Sequence, residues 1–85
     1  MRASLEQIKH NPALARSDFN NAYLEADTGL TRAFIYVTAD GFCVVIEEPY
    51  LPENEPDAAV ISVHNTMHQA KFGLISLLAR RFAQD

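Results

Sequence analysis

Between Thr31 and Glu48 two β-branched and aromatic runs, TRAFIYVTA and FCVVIEE, flank Asp40-Gly41, and no other stretch restricts the fold as tightly. Asp-Gly between such runs favours a two-residue type I′ hairpin turn, because both residues tolerate positive φ and the turn's twist matches that of the strands. A two-residue loop pairs Ala39 with Phe42, Val37 with Val44 and Ile35 with Ile46. One face then carries Ile35, Val37, Phe42, Val44 and Ile46, the expected core. The other face pairs Thr38 with Cys43, Tyr36 with Val45 and Phe34 with Glu47, and it too is rich in apolar area.

The flanking segments read as follows. Ser4-Leu5-Glu6-Gln7 has the form of a capping box, and Asn11-Pro12 sets a good cap before a proline suited to the first helical position. A short helix to His10 is expected, then a second from near Pro12 toward Ala26, with Ala15, Phe19, Ala22, Tyr23 and Ala26 on one face. Asp27-Thr28-Gly29 would end it, and Ser17-Asp18 offers the cap of a shorter helix instead. From Glu47 to Asp57 the chain is acidic and punctuated by prolines that resist both helix and strand.

Two readings remain open for the last third. Either Ala58 to Val63 is a third strand and Thr66-Met67-His68-Gln69 caps a helix to about Ala83, or one helix runs from near Asp57 with Val60, Val63, Met67, Ala70, Leu74 and Leu77 along a seam. The β-branched run favours the strand.

With 85 residues, 48% of them hydrophobic and 21% charged, the chain suits one domain. The expected class is α+β: a two-layer arrangement of an antiparallel β-hairpin, of two or three strands, with an N-terminal helical region and a long C-terminal helix. A lone cysteine and an N-terminal stretch without a charged-then-apolar pattern point to a cytoplasmic protein with no internal disulfide. No stretch approaches the ~20 apolar residues of a membrane span. The charge of −4 is uneven: residues 39–62 hold six acidic and no basic side chains, whereas residues 63–85 hold three basic and one acidic. This balance argues against nucleic acid and for a partner with a basic surface.

No motif for catalysis, phosphate binding or a cofactor stands out. His64 and His68 are four apart, a spacing at which two imidazoles on one helical face can share a metal, but the glutamate of the metalloprotease pattern is missing. With Cys43 they form the alternative of a small metal-binding protein or enzyme. Lys71, Arg80 and Arg81 form a second alternative, nucleic-acid binding. The preferred expectation is a non-catalytic binding module, a homodimer or a regulator or inhibitor of another protein. Two layers cover only one sheet face, which leaves Phe34, Tyr36 and Val45 as interface candidates. The other arrangement gives each sheet face its own helices. Tyr50 and Leu51, stiffened by neighbouring prolines, are further candidate anchors in a loop that is by default a solvated connection.

Overall fold

The computed structural model describes residues 2–49 and 58–84. Tyr50, Leu51 and most of the acidic loop lie outside the described residues. The elements are α1 (Leu5–His10), α2 (Leu14–Ser17), a single 3₁₀ turn (Phe19–Asn21), β1 (Ala22–Asp27), β2 (Thr31–Val37), β3 (Cys43–Pro49), β4 (Ala59–His64) and α3 (Met67–Gln84). The strands form one antiparallel meander in the order β1-β2-β3-β4. The α+β class, the antiparallel sheet, the N-terminal helical region and the long C-terminal helix are all present. No described helix is long and apolar enough to cross a membrane.

Two of the three expected helix caps form; the third does not, since α2 starts at Leu14 after Ala13 with no side-chain cap and Asn11 instead ends α1. Ser4 Oγ accepts the Gln7 N–H at 3.2 Å while Gln7 Oε1 accepts the Ser4 N–H at 2.8 Å. Thr66 Oγ1 accepts the Gln69 N–H at 3.2 Å and opens α3, so residues 59–64 are a strand rather than the start of a longer helix.

The hairpin turns at Asp40-Gly41 but closes one residue wider than expected. Thr38 pairs with Phe42 through its N–H at 2.9 Å, leaving Ala39-Asp40-Gly41 as a three-residue loop with Gly41 at φ +89°. This is the loop in which a left-handed third residue makes a bulge. The N-terminal segment holds it there, since Ala39 N–H donates to the Ala3 carbonyl at 2.8 Å and Asp40 Oδ1 accepts the Leu5 N–H at 3.0 Å. One extra loop residue shifts the register, so Ile35 faces Val45 and Phe34 faces Ile46. Because side chains alternate, the shift exchanges the two faces of β3.

Ile35 and Ile46 therefore lie on opposite faces, which overturns the expected single core. Ala33, Ile35, Cys43 and Val45 pack under α3 with Ala70, Leu74 and Leu77. Phe34, Tyr36, Val44 and Ile46 pack with Ile8 of α1 and Ala15 of α2 on the other side. The sheet is thus covered on both faces, a helix on one and the short N-terminal helices on the other.

The expected helix from Pro12 to Ala26 is cut short at Ser17. Asp18, Asn20 and Asn21 are poor helix formers, and the open edge of β2 gives the following residues a ladder of backbone hydrogen bonds that outweighs their helical composition. Asp27-Thr28-Gly29 makes the β1–β2 turn instead of a helix end: Asp27 Oδ1 accepts the Gly29 N–H at 2.8 Å, and Gly29 has φ +88°.

Candidate functional site

The interface candidates from the hairpin are interior residues. Phe34, Tyr36 and Val45 are each 0% exposed, the first two beneath the N-terminal helices and the third beneath α3. The Tyr36 hydroxyl is a latch for the N-terminal segment, donating to Asp18 Oδ2 at 2.6 Å and accepting the Ala3 N–H at 3.0 Å. Burial, reinforced by Asp18, raises the tyrosine pKa, and the same hydrogen bond lowers that of Asp18. An open cleft of 390 Å³ beside the latch is lined by Arg2, Gln7, Ser17 and Asp18 among others. Its polar side chains already have partners: Asn21 bridges Arg2 Nε at 2.9 Å and Asp18 Oδ1 at 2.8 Å, Gln7 pairs with Ser4, and Ser17 Oγ donates to the Leu14 carbonyl at 2.9 Å.

The residues of the catalytic and metal alternative separate. His64 ends β4 and His68 lies in the first turn of α3, so they do not share a helical face. His68 meets the Phe72 ring edge-on, with centroids 5.0 Å apart. The sheet register sets Cys43 directly across from His64, but the imidazole Nε2 lies 2.7 Å from Ser62 Oγ. Burial raises the Cys43 pKa and disfavours the thiolate a nucleophile requires. Among the described residues no group of three or more His, Cys, Asp or Glu side chains is placed to hold a metal ion. Of the three cations considered for nucleic acid, Arg81 grips Glu47, its Nε and Nη2 each 2.7 Å from a carboxylate oxygen.

Exposed large apolar side chains occur at Tyr23, Leu24, Leu30 and Val63 on the outer strands and the β1–β2 turn and, as a set of three on one helix, on the outer face of α3. Its inner face, Met67, Ala70, Leu74 and Leu77, packs on the sheet. On the opposite side His68, Phe72, Ile75, Ala79 and Phe82 follow each other at intervals of four, three, four and three residues, the spacing of a single helical stripe. Phe72, Ile75 and Phe82 are 60%, 60% and 61% exposed. A helix apolar on two opposite faces is usually buried on both. Sequence reasoning tracked only the inner seam, although the outer stripe carries the same periodicity and was legible once a helix was placed there.

The sheet edges are less available. In β1, Leu24 and Glu25 together oppose Phe34, a bulge with Leu24 at φ 52°, and in β4 an extra residue, Ile61, interrupts the ladder with β3. Bulges on outer strands twist the edge and discourage another strand from pairing there. No protein-family model, curated protein or solved structure matches the chain.

Proposed function

We propose that this chain is a non-catalytic protein-binding module that works through the outer face of α3. The observation that carries the reading is the exposed stripe of Phe72, Ile75 and Phe82 on a domain whose two sheet faces are already covered by its own helices. At ~200 Å² for a large side chain, these three present about 350 Å² of apolar surface, a size that on single small domains often marks a contact site. Lys71 and Arg80 lie on the same helix, and no acidic side chain occurs between residues 58 and 84. The rim of the stripe is therefore polar and cationic, as specific interfaces commonly are at their margins.

Site-directed photo-crosslinking in the source cell tests this. A photoreactive residue at position 75 is expected to give a discrete protein adduct, and one at position 76, on the polar flank, is not. Equal yields from both positions, or none from position 75, would overturn the reading.

A further inference from the structure

We infer that the partner of the α3 face is a protein groove with an apolar floor and acidic walls, which takes α3 as its ligand helix. The inference rests on the reading that this face binds a protein and adds the shape and charge of the partner.

Spacing sets the shape. Phe72, Ile75, Ala79 and Phe82 stand at i, i+3, i+7 and i+10, the anchor pattern of an amphipathic helix that lays its apolar side in a groove. α3 rests on the sheet through Met67, Ala70, Leu74 and Leu77, so the anchors project from a convex ridge. A flat partner would touch only the crest of such a ridge. A groove closes on both flanks and adds the stem of Lys71, Ser76 and Leu78 to the ~350 Å² of the three large side chains.

Local charge sets the sign. α3 carries Lys71, Arg80 and Arg81 and no acidic residue, while the rest of the chain holds four basic and eleven acidic side chains. The net charge of −4 suggests a basic partner, but over a screening length of about 8 Å a contact on α3 meets mainly the charges of α3. Arg81 is neutralised by Glu47. Lys71 and Arg80 are exposed and form no ion pair among the described residues. At about 100° per residue they fall on opposite flanks of the stripe, and at 1.5 Å per residue they lie about 14 Å apart along it. Two carboxylates on facing walls of a groove match that diagonal.

The same charges disfavour the other occupants. A second copy would set Lys71 of each chain beside Arg80 and Arg81 of the other when antiparallel, and would cluster the arginines when parallel. An anionic lipid surface or a phosphodiester chain is held by clusters of roughly four or more cations. Here two are available, on a domain whose remaining charge is strongly negative.

Photo-crosslinking in the source cell, with the charges of α3 varied, tests the partner. A photoreactive residue at position 75 should capture a protein adduct. Lys71→Glu with Arg80→Glu should lower its yield by about tenfold or more with the melting temperature unchanged, because both side chains are exposed. Lys71→Gln with Arg80→Gln should lower it by a smaller factor, and Lys9→Glu on α1 should leave it unchanged. In a lysate, a water-soluble carbodiimide, which joins an amine to an adjacent carboxylate as an amide and leaves as the urea, should link Lys71 to an aspartate or glutamate of the same adduct protein, as read by peptide mass. A yield unchanged or raised by the glutamates, or a Lys71 that joins no carboxylate of the adduct protein, would overturn the acidic groove and leave α3 as a protein-binding surface. An adduct of twice the chain's mass would overturn the groove in favour of a second copy. A nuclease-sensitive or lipid adduct, or none at position 75, would overturn this inference and the binding reading together.

Discussion

Glu47 and Glu48, neighbours on β3, send their carboxylates to opposite faces of the sheet and tie a different helix to each. Glu47 accepts two hydrogen bonds from Arg81 near the end of α3, whereas Glu48 accepts from Arg16 of α2 and from Arg32 of β2. Both carboxylates are nearly buried, and the guanidinium partners offset the cost of taking them out of water. A bidentate pair also fixes orientation, and Arg81 thereby sets how α3 lies on the sheet.

Removing Arg81 should destabilise the fold by about 2–4 kcal/mol, because Arg81→Met leaves a buried carboxylate without its partner. The pH profile identifies the cause. Arg81 holds the Glu47 pKa below its ordinary value of 4.5, so between the folded and unfolded values the unfolded chain binds more protons. The Glu47 contribution is therefore fully present above about pH 4.5 and lost as the pH falls through the folded value. Melting temperatures of the wild type should drop on acidification in this window, and those of Arg81→Met should drop less.

Tyr36→Phe should cost about 1–2 kcal/mol, since it deletes one hydroxyl that both donates to a carboxylate and accepts a backbone N–H. Tyr36→Asp should unfold the chain rather than leave a folded protein of altered association, because the side chain is fully buried. Chemical denaturation measures both. The raised tyrosine pKa adds a loss of stability on the alkaline side, beginning as the pH rises through the unfolded value near 10, and Tyr36→Phe should lack it.

Much of the fold was legible because local signals and tertiary pairing agreed: the two caps, the hairpin, β4 and α3 follow from residue chemistry within a few positions. Two features escaped for distinct reasons. The loop length depended on Ala3 and Leu5 docking onto Ala39 and Asp40, a contact more than thirty residues away in sequence, and one residue of register exchanged the faces that Val45 and Ile46 occupy. β1 has the composition of a helix and is a strand only because β2 offers an edge. The candidate site moved with the register: both hairpin faces are interior, and three of the exposed large apolar side chains, Phe72, Ile75 and Phe82, lie together on α3.

The turn can be probed at Gly41, where a Cβ would meet nothing within 4 Å. Any cost of Gly41→Ala is therefore conformational, about 1–2 kcal/mol for a left-handed backbone. Gly41→Asn should cost less, because asparagine visits that region more readily. Thermal denaturation of the pair separates this from steric loss, for a clash would penalise asparagine more than alanine.

Gly73 has a different reason to be glycine. It lies in mid-α3, where alanine would ordinarily be favoured by about 1 kcal/mol, yet a Cβ there would come within 2.6 Å of His64 Nε2 and 3.1 Å of Ser62 Oγ. The helix crosses β4 directly above the His64–Ser62 hydrogen bond, so Gly73→Ala must displace the imidazole and break that bond. Gly73→Ala alone should thus be neutral or destabilising, the gain in helix propensity being offset by the displaced ring. In a His64→Ala background the 2.6 Å clash is gone and only the 3.1 Å approach to Ser62 Oγ remains, so the same substitution should be more favourable there than in the wild type by about 1 kcal/mol. A double-mutant cycle in denaturant should give a coupling energy of about 1 kcal/mol or more between positions 64 and 73. Additive effects would mean that α3 does not rest on His64.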